Sequence, residues 1–372
     1  MSASHRVRVA HVINARGLGG AERFYATLVR QGNDRGLEQQ VFVPFATAAS
    51  VEFTDLLAPV PWAARPAARL ADLPGVWAWL RRELARFAPD VVHASLFHAT
   101  VLTATIPRSG QACRLVTHVY GPGLRVLPHA RVREALDRWA GRRYDRVAAI
   151  SASVERFLVS EYGYPTDKVV RIPLGWEGRP HPSTADGARP TVVCVARLRP
   201  EKGHAILIEA FAAVCRAIPH SRLLLVGDGE LRHAVVAQVE ALGLGGNVEI
   251  TGPVDEVWPY LAQGHVFALA SHSEAYGIAA AEAMAAGLPV VASAVGGIPE
   301  LVAEGVTGEL FPVGDSAALA DHLIRILSSP DLRRRMGEAA LAAAEPLRME
   351  RSAGRYLDLC ERMAGERGSS FR

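Results

Sequence analysis

Short apolar runs of four to six residues alternate with helical stretches along nearly the whole chain, and the alternation starts over once. The first run lies at 7–13. Gly17, Gly19 and Gly20 break it, and a helix with Phe24, Leu28 and Val29 on one face follows at 21–31. Strand, glycine turn and helix open a βαβ unit. Further strands are expected at 40–44, 89–93, 115–119, 146–150 and 169–173, with a helix at 76–87. Residues 175–189 are rich in Pro, Gly, Ser and Asp without periodicity and read as a linker. The pattern then restarts with strands at 191–196, 222–226, 248–250, 266–270, 289–292 and 309–311. Helices are expected at 204–217, 230–242, 254–263, 316–327, 331–344 and 349–363. Strands this short and apolar, interleaved with helices, belong to parallel sheets covered on both faces. The chain therefore predicts an α/β fold of two doubly wound domains, 1–174 and 190–345. A C-terminal helical segment, 346–372, is free to cross back to the first.

A length of 372 residues is comfortable for two domains, and 49% hydrophobic with 21% charged residues excludes a disordered chain. The four cysteines, Cys113, Cys194, Cys215 and Cys360, form no CxxC pair and no His-rich cluster, which argues against a metal or disulfide framework. The N-terminus shows no secretory apolar region and no run reaches the length of a membrane span, so a cytoplasmic protein is expected. Net charge is uneven. Residues 1–180 carry 24 Lys+Arg against 15 Asp+Glu, whereas the overall formal charge is only +3. A basic first half favours an anionic acceptor or membrane surface, or is simply a solvated face.

Charge also gathers at the ends of particular elements. Arg197 follows the strand at 191–196, and Lys202-Gly203 opens the next helix. A cation at a strand's carboxyl end, with another at the following helix N-terminus, is where a diphosphate is expected in such a sheet. Lys202 is one of two lysines, the other being Lys168; every remaining cation is arginine. Downstream, Glu274-Ala-Tyr-Gly-Ile-Ala-Ala-Ala-Glu282 holds two carboxylates with seven residues between them, and Gly287-Leu-Pro-Val-Val, Gly296-Gly297 and Pro299-Glu300 follow. A helix beginning near Gly277 would leave the N–H groups of Gly277, Ile278 and Ala279 for a phosphate oxygen. An ionised carboxylate accepts hydrogen bonds from two adjacent hydroxyls, the arrangement a sugar offers.

The segment from Glu274 resembles the EX7E signature of retaining glycosyltransferases of the GT-B fold, specifically glycosyltransferase family 4. Residues 196–204, Ala-Arg-Leu-Arg-Pro-Glu-Lys-Gly-His, resemble that family's GRL…EKG loop, with Ala196 in place of the usual first glycine. The resemblance implies an α/β GT-B architecture, two Rossmann-like domains facing across a cleft, the first binding the acceptor and the second the nucleotide sugar. It implies transfer from a nucleotide-diphosphate sugar to a saccharide or lipid-linked acceptor in glycan or polysaccharide biosynthesis, with retention and with no metal or other cofactor. By the same resemblance Arg197 and Lys202 would neutralise the departing diphosphate. Glu274 would take hydroxyls of the transferred sugar and Glu282 the ribose hydroxyls. Tyr276 stands where the family more often has Phe. Gly227, in Gly227-Asp-Gly229, resembles a loop near the nucleotide, and Gly252-Pro-Val254 the segment that contacts the base. In the first half, Gly17-Leu-Gly19-Gly20-Ala-Glu22 resembles the GG-A-E loop, whose glycines let the backbone approach donor phosphate or acceptor. His118, at a strand end, matches a histidine that touches donor sugar or acceptor, with His98 as its rival and His93 as a structural strand residue. Two other readings stand beside this one: another GT-B nucleotide-sugar enzyme, such as an epimerase or phosphorylase, against which the Arg197/Lys202 and Glu274/Glu282 combination argues, and a non-catalytic sugar-nucleotide-binding protein, against which the intact motif residues argue. Nucleotide release that depends on an acceptor separates them.

Two arginine-rich amphipathic stretches remain. One, 65–86, holds Trp77 and Trp79 among Arg69, Arg81, Arg82 and Arg86; the other, 131–146, holds Trp139 near Arg138, Arg142 and Arg143. Each reads either as a peripheral contact with an anionic membrane or as core tryptophans beside solvated arginines. No nucleic-acid-binding module is recognisable.

Overall fold

The computed structural model describes residues 6–15, 20–47, 50–66, 72–108, 112–118, 130–181 and 189–369. The chain forms two compact units: Met1–Leu174 together with Met349–Arg372, and Gly175–Arg348.

The first unit runs β1 (Arg8–Ile13), α1 (Gly20–Asp34), β2 (Glu38–Ala46), α2 (Val51–Asp55), β3 (Trp62–Pro66), α3 (Leu73–Phe87) and β4 (Val91–Ser95). It continues with α4 (Phe97–Thr105), β5 (Cys113–His118), α5 (Ala130–Gly141), β6 (Arg146–Ala149), α6 (Ala152–Ser160) and β7 (Val169–Arg171). Among the described residues these strands make one seven-stranded sheet in the order β3-β2-β1-β4-β5-β6-β7, every pair parallel. The direction of winding reverses between β1 and β4, which pair through Val9↔Val91 to Ile13↔Ser95. Val9, Val12 and Ile13 are fully buried, as a central strand covered by helices on both faces requires.

A polar chain threads this core. Gln39 Nε2 donates to the Val29 carbonyl at 2.8 Å, so its Oε1 is the acceptor for His11 Nε2 at 3.1 Å. His11 thus carries its proton on Nε2, and its Nδ1 must accept from His93 Nδ1 at 3.3 Å. His93 Nε2 is left to accept from Thr117 Oγ1 at 2.6 Å, its single lone pair shared at longer range with Tyr25 Oη at 3.2 Å. One tautomer of each ring satisfies every contact, and both rings are neutral. Burial drives their pKa values down, His11 to about 4, where the Gln39 hydrogen bond opposes it, and His93 well below the usual histidine value, with His11 adding to the effect.

The second unit runs β8 (Thr191–Val195), α7 (His204–Ala217), β9 (Arg222–Val226), α8 (Arg232–Ala241), β10 (Val248–Ile250), α9 (Trp258–Leu261) and β11 (Val266–Leu269). Then come α10 (Ile278–Ala285), β12 (Val290–Ser293), α11 (Ile298–Leu301), β13 (Gly308–Phe311), α12 (Ser316–Leu327) and α13 (Pro330–Ala344). Among the described residues its sheet has six parallel strands in the order β10-β9-β8-β11-β12-β13. Here the winding reverses between β8 and β11. Local chemistry sets several boundaries: Asp315 accepts from the Ala318 N–H to cap α12, and Ser329 caps α13 ahead of Pro330.

The last helix, α14 (Met349–Ser369), packs in the first unit. Tyr356 meets Phe24 of α1 edge-on at 5.0 Å, and Cys113 Sγ donates to the Met363 carbonyl at 3.2 Å. Tyr356, Leu357 and Cys360 are fully buried, and burial of Leu357 alone contributes about 1.5–3 kcal/mol.

Two expectations need correction. The helix expected at 254–263 is only the four residues of α9; it begins no earlier than Trp258 because Pro259 tolerates only a helix's first turn, where its ring does not meet a carbonyl four residues back. The expected linker is not a free spacer at its start. Trp176 is 2% exposed, donates from Nε1 to the Ala344 carbonyl at 2.7 Å and carries the Arg348 guanidinium 4.4 Å from its ring centre.

Candidate active site

In an open parallel sheet, ligands bind outside the carboxyl ends of the strands where the winding reverses. In the second unit that place lies beyond β8 and β11, and the charged motifs fall on it. The chain leaves β8 through exposed Arg197, turns at buried Leu198, and reaches Lys202 at the end of a single helical turn, Pro200–Lys202. Gly203 then starts α7 with φ 62°. A Cβ on Gly203 would overlap the Ala270 carbonyl, so this loop presses backbone to backbone against the end of β11. His272 N–H donates to the Glu201 carbonyl at 2.8 Å and ties the same two loops.

Lys202 Nζ donates to Glu274 Oε1 at 2.6 Å, with side chains 19% and 11% exposed. Ser271 Oγ donates to the same carboxylate oxygen at 2.9 Å. Ser293 Oγ in turn donates to the Ser271 carbonyl at 2.5 Å, anchoring this segment on β12. Gly296 and Gly297 close the arrangement from behind. A Cβ on Gly296 would overlap the Glu274 carbonyl, and one on Gly297 would press on the backbone of Ala275 and Tyr276.

Gly277, at φ 101°, caps α10. The N–H groups of Ala280 and Ala281 both return to the Gly277 carbonyl, so those of Gly277, Ile278 and Ala279 are the ones the helix start leaves to a ligand. Glu282 lies one turn further on, half-buried, and is engaged within the structure. Gly227, at φ 137°, follows β9, and a Cβ there would overlap the Ala196 carbonyl. An isolated antiparallel bridge joins Gly227 to Gly252, bringing the segment of half-buried Val254 beside the Gly227 loop. Arg197, Lys202, Glu274, Glu282, Gly227, Val254 and the start of α10 are thus all carried by one unit, on loops at the carboxyl ends of β8, β9, β10 and β11 and on α10. Burial holds the neighbouring His204 down at about 4, with Lys202 adding to the effect, so it stays neutral beside the cations. The Cys194 thiol under the site is pushed up to about 12 by burial and is no nucleophile.

The first unit repeats the arrangement at its own reversal point. Asn14 follows β1, and Asn14 Nδ2 donates to His98 Nδ1 at 3.3 Å, which leaves the ring proton on Nε2. Asn14 Oδ1 is buried and has no hydrogen-bond partner among the described residues. Leu96 turns the chain out of β4 with φ 66° and sets His98 in the first turn of α4, between the rings of Phe97 and Phe45 at 5.3 and 6.0 Å. Gly20 begins α1. Gly19 lies outside the described residues. The backbone of His118 ends β5, and its side chain is outside them too.

Ser271 and Asn14 were not singled out from the sequence. Ser271 stands three residues before Glu274, directly after a strand, and that position was its signal. Nothing in the sequence marks Asn14, which matters only once β1 and β4 are neighbours.

Two family models match the chain. Glycosyltransferase Family 4 spans residues 18–177, and Glycosyl transferases group 1 spans 180–342. The chain is 30% identical to a GDP-mannose-dependent alpha-(1-6)-phosphatidylinositol monomannoside mannosyltransferase of Mycolicibacterium smegmatis, over 77% of this chain and 76% of that protein. It is 28% identical to the N-acetyl-alpha-D-glucosaminyl L-malate synthase of Bacillus anthracis, over 71% and 72%. Among solved structures, Anabaena Alr3699/HepE in complex with UDP superposes with a TM-score of 0.82 at 21% identity, covering 95% of this chain and 100% of that one. The sucrose-phosphate synthase of Thermosynechococcus elongatus gives 0.82 at 22%, covering 97% and 100%. These likenesses establish the GT-B fold.

Proposed function

We propose that this chain, which belongs to glycosyltransferase family 4, transfers a sugar from a nucleoside-diphosphate sugar to a saccharide or lipid-linked acceptor with retention of anomeric configuration. The observation that carries the reading is the meeting of Lys202 and Glu274 where the second sheet reverses, with Arg197 and the start of α10 on the same side.

The diphosphate takes Arg197, Lys202 and the N–H groups of Gly277, Ile278 and Ala279. Glu274 takes hydroxyls of the sugar and Glu282 those of the ribose. As the bond from the anomeric carbon to the diphosphate oxygen lengthens, negative charge grows on that oxygen. Donors already aimed at it lower the barrier without reorganising. The acceptor oxygen bonds to the anomeric carbon on the face the diphosphate leaves, and its proton passes to the departing phosphate oxygen. The acceptor belongs to the first unit, where Asn14 and His98 offer polar atoms at the sheet's reversal point. Arg197 and Lys202 supply the positive charge a divalent ion would otherwise bring, so transfer proceeds without a metal and activity should survive EDTA.

Relatives named for GDP-mannose and structural neighbours solved with UDP make GDP- and UDP-sugars the first donors to try. The test is product analysis by proton NMR with an α-linked donor. An α-linked product formed together with free nucleoside diphosphate supports the reading. A β-linked product contradicts retention, and nucleotide release that ignores added acceptor contradicts transfer.

A further inference from the structure

The two arginine-rich stretches of the first unit turn out to be different surfaces. On α3, Trp79 is 9% exposed and packs edge-on against Phe42 at 6.2 Å, so it belongs to the core. The exposed apolar side chains of α3 are confined to its first turns, where Leu73 is 38% exposed and half-buried Trp77 carries the Arg81 guanidinium 5.4 Å from its ring centre; beyond them the outward residues are Ala78, Arg81, Arg82, Ala85 and Arg86, mostly charge. On α5, Val132 and Leu136 are 60% and 40% exposed, Ala135 is exposed and Trp139 is half-buried. Their spacing of three, four and seven places them on one stripe of the helix. With Val101 and Thr105 of α4 they line an open, almost wholly apolar groove of about 570 Å³.

Among the described residues of α5, the exposed charges have one sign. Arg131, Arg138, Arg142 and Arg143 are exposed, and the Arg143 guanidinium lies 3.8 Å from the centre of a Trp139 ring. The acidic residues of α5 are withdrawn: Glu134 is half-buried and engaged, and Asp137 is 3% exposed and accepts from Tyr162 Oη at 3.2 Å. A single helix with four apolar residues is too small to supply a stable protein interface. It is enough for shallow insertion at a bilayer surface, where tryptophan favours the headgroup level and arginines meet lipid phosphates.

We infer that α5 is a docking face for an anionic lipid bilayer, with Val132, Leu136 and Trp139 entering between headgroups and the surrounding arginines holding phosphates. The inference is independent of the sugar-transfer reading, since α5 carries none of the donor or acceptor residues named above and the test reads binding alone.

The experiment is co-sedimentation of the full chain with phosphatidylcholine vesicles, with and without phosphatidylglycerol, at low and high salt. Binding should need the anionic lipid, weaken with salt, and fall about fivefold for each arginine removed at low salt. Leu136→Glu should abolish it and Arg138→Ala should weaken it about fivefold, both keeping the wild-type melting curve because both side chains are exposed. Arg81→Glu on α3 should bind as wild type does. No binding to anionic vesicles, binding unchanged in the α5 variants, or an equal loss in Arg81→Glu would overturn the inference. So would a wild-type dimer that Leu136→Glu converts to monomer without any vesicle binding, which would assign the face to a second copy of the chain.

Discussion

Lys202 Nζ stands 2.6 Å from Glu274 Oε1, and the two residues leave the sheet from β8 and β11, the strands between which its winding reverses. The pair is mostly shielded from solvent and also held by Ser271. Each side chain is therefore fixed in place before a donor arrives, which is what a preorganised anion site needs. Lys202→Ala should lower kcat by about 10²–10³, the usual loss for one such donor. Lys202→Arg should recover only part of this, since a planar guanidinium cannot replace a compact ammonium in the same space. Steady-state rates with saturating donor measure both.

Gly296 has φ 59°, and its missing Cβ leaves room for the Glu274 carbonyl. Gly296→Ala brings both left-handed strain and a backbone overlap, so it should destabilise the protein by about 1–3 kcal/mol and displace Glu274. Gly305→Ala, at φ 73° with nothing near its Cβ, is the control: it bears the strain but no overlap, and its activity should be retained. Equal loss of activity in the two variants would mean that strain alone decides the outcome.

The buried histidines make stability depend on pH with a definite sign. His11 and His204 have folded pKa values near 4, and His93 lies well below the usual value, with burial the leading cause in each. In the unfolded chain they titrate near 6.5. Between these values the unfolded state binds more protons, so stability rises with pH. The native state is least penalised above pH 6.5 and loses stability as pH falls toward 4. For His11 alone the loss reaches about 3 kcal/mol. Melting curves at pH 7.5, 6 and 5 should show it, and His11→Gln should flatten the slope. A variant with the wild-type slope would refute the assignment.

Asn14 holds His98 at the reversal point of the first sheet, 84 residues away in sequence. Asn14→Ala should raise the acceptor KM by about tenfold, the equivalent of one lost hydrogen bond to an oriented polar group, with donor affinity unchanged. A change in donor affinity alone would remove Asn14 from the acceptor side.

Much of the second unit was legible in the sequence because its elements are continuous apolar runs with clear ends. The helices at 204–217 and 316–327 and the strands at 222–226 and 248–250 have the bounds expected of them. The first unit was harder. β3 is an edge strand that ends in Pro66 and leaves Trp62 48% exposed, so it has no apolar run to recognise. α4 is apolar on nearly all sides and shows no helical period. Lys202 and Glu274 could each be named from local motifs. Their contact could not, because it spans 72 residues and exists only once β8 and β11 are neighbours. The same holds for Asn14 and His98.

The most direct test is calorimetric titration of UDP and GDP into the wild-type protein and Lys202→Ala. One nucleotide should bind the wild type, and the variant should bind it about 10–100-fold more weakly, the effect of one charge-assisted hydrogen bond to phosphate. Equal affinity in the two proteins, or binding of neither nucleotide, would contradict the placement of the donor diphosphate at Lys202.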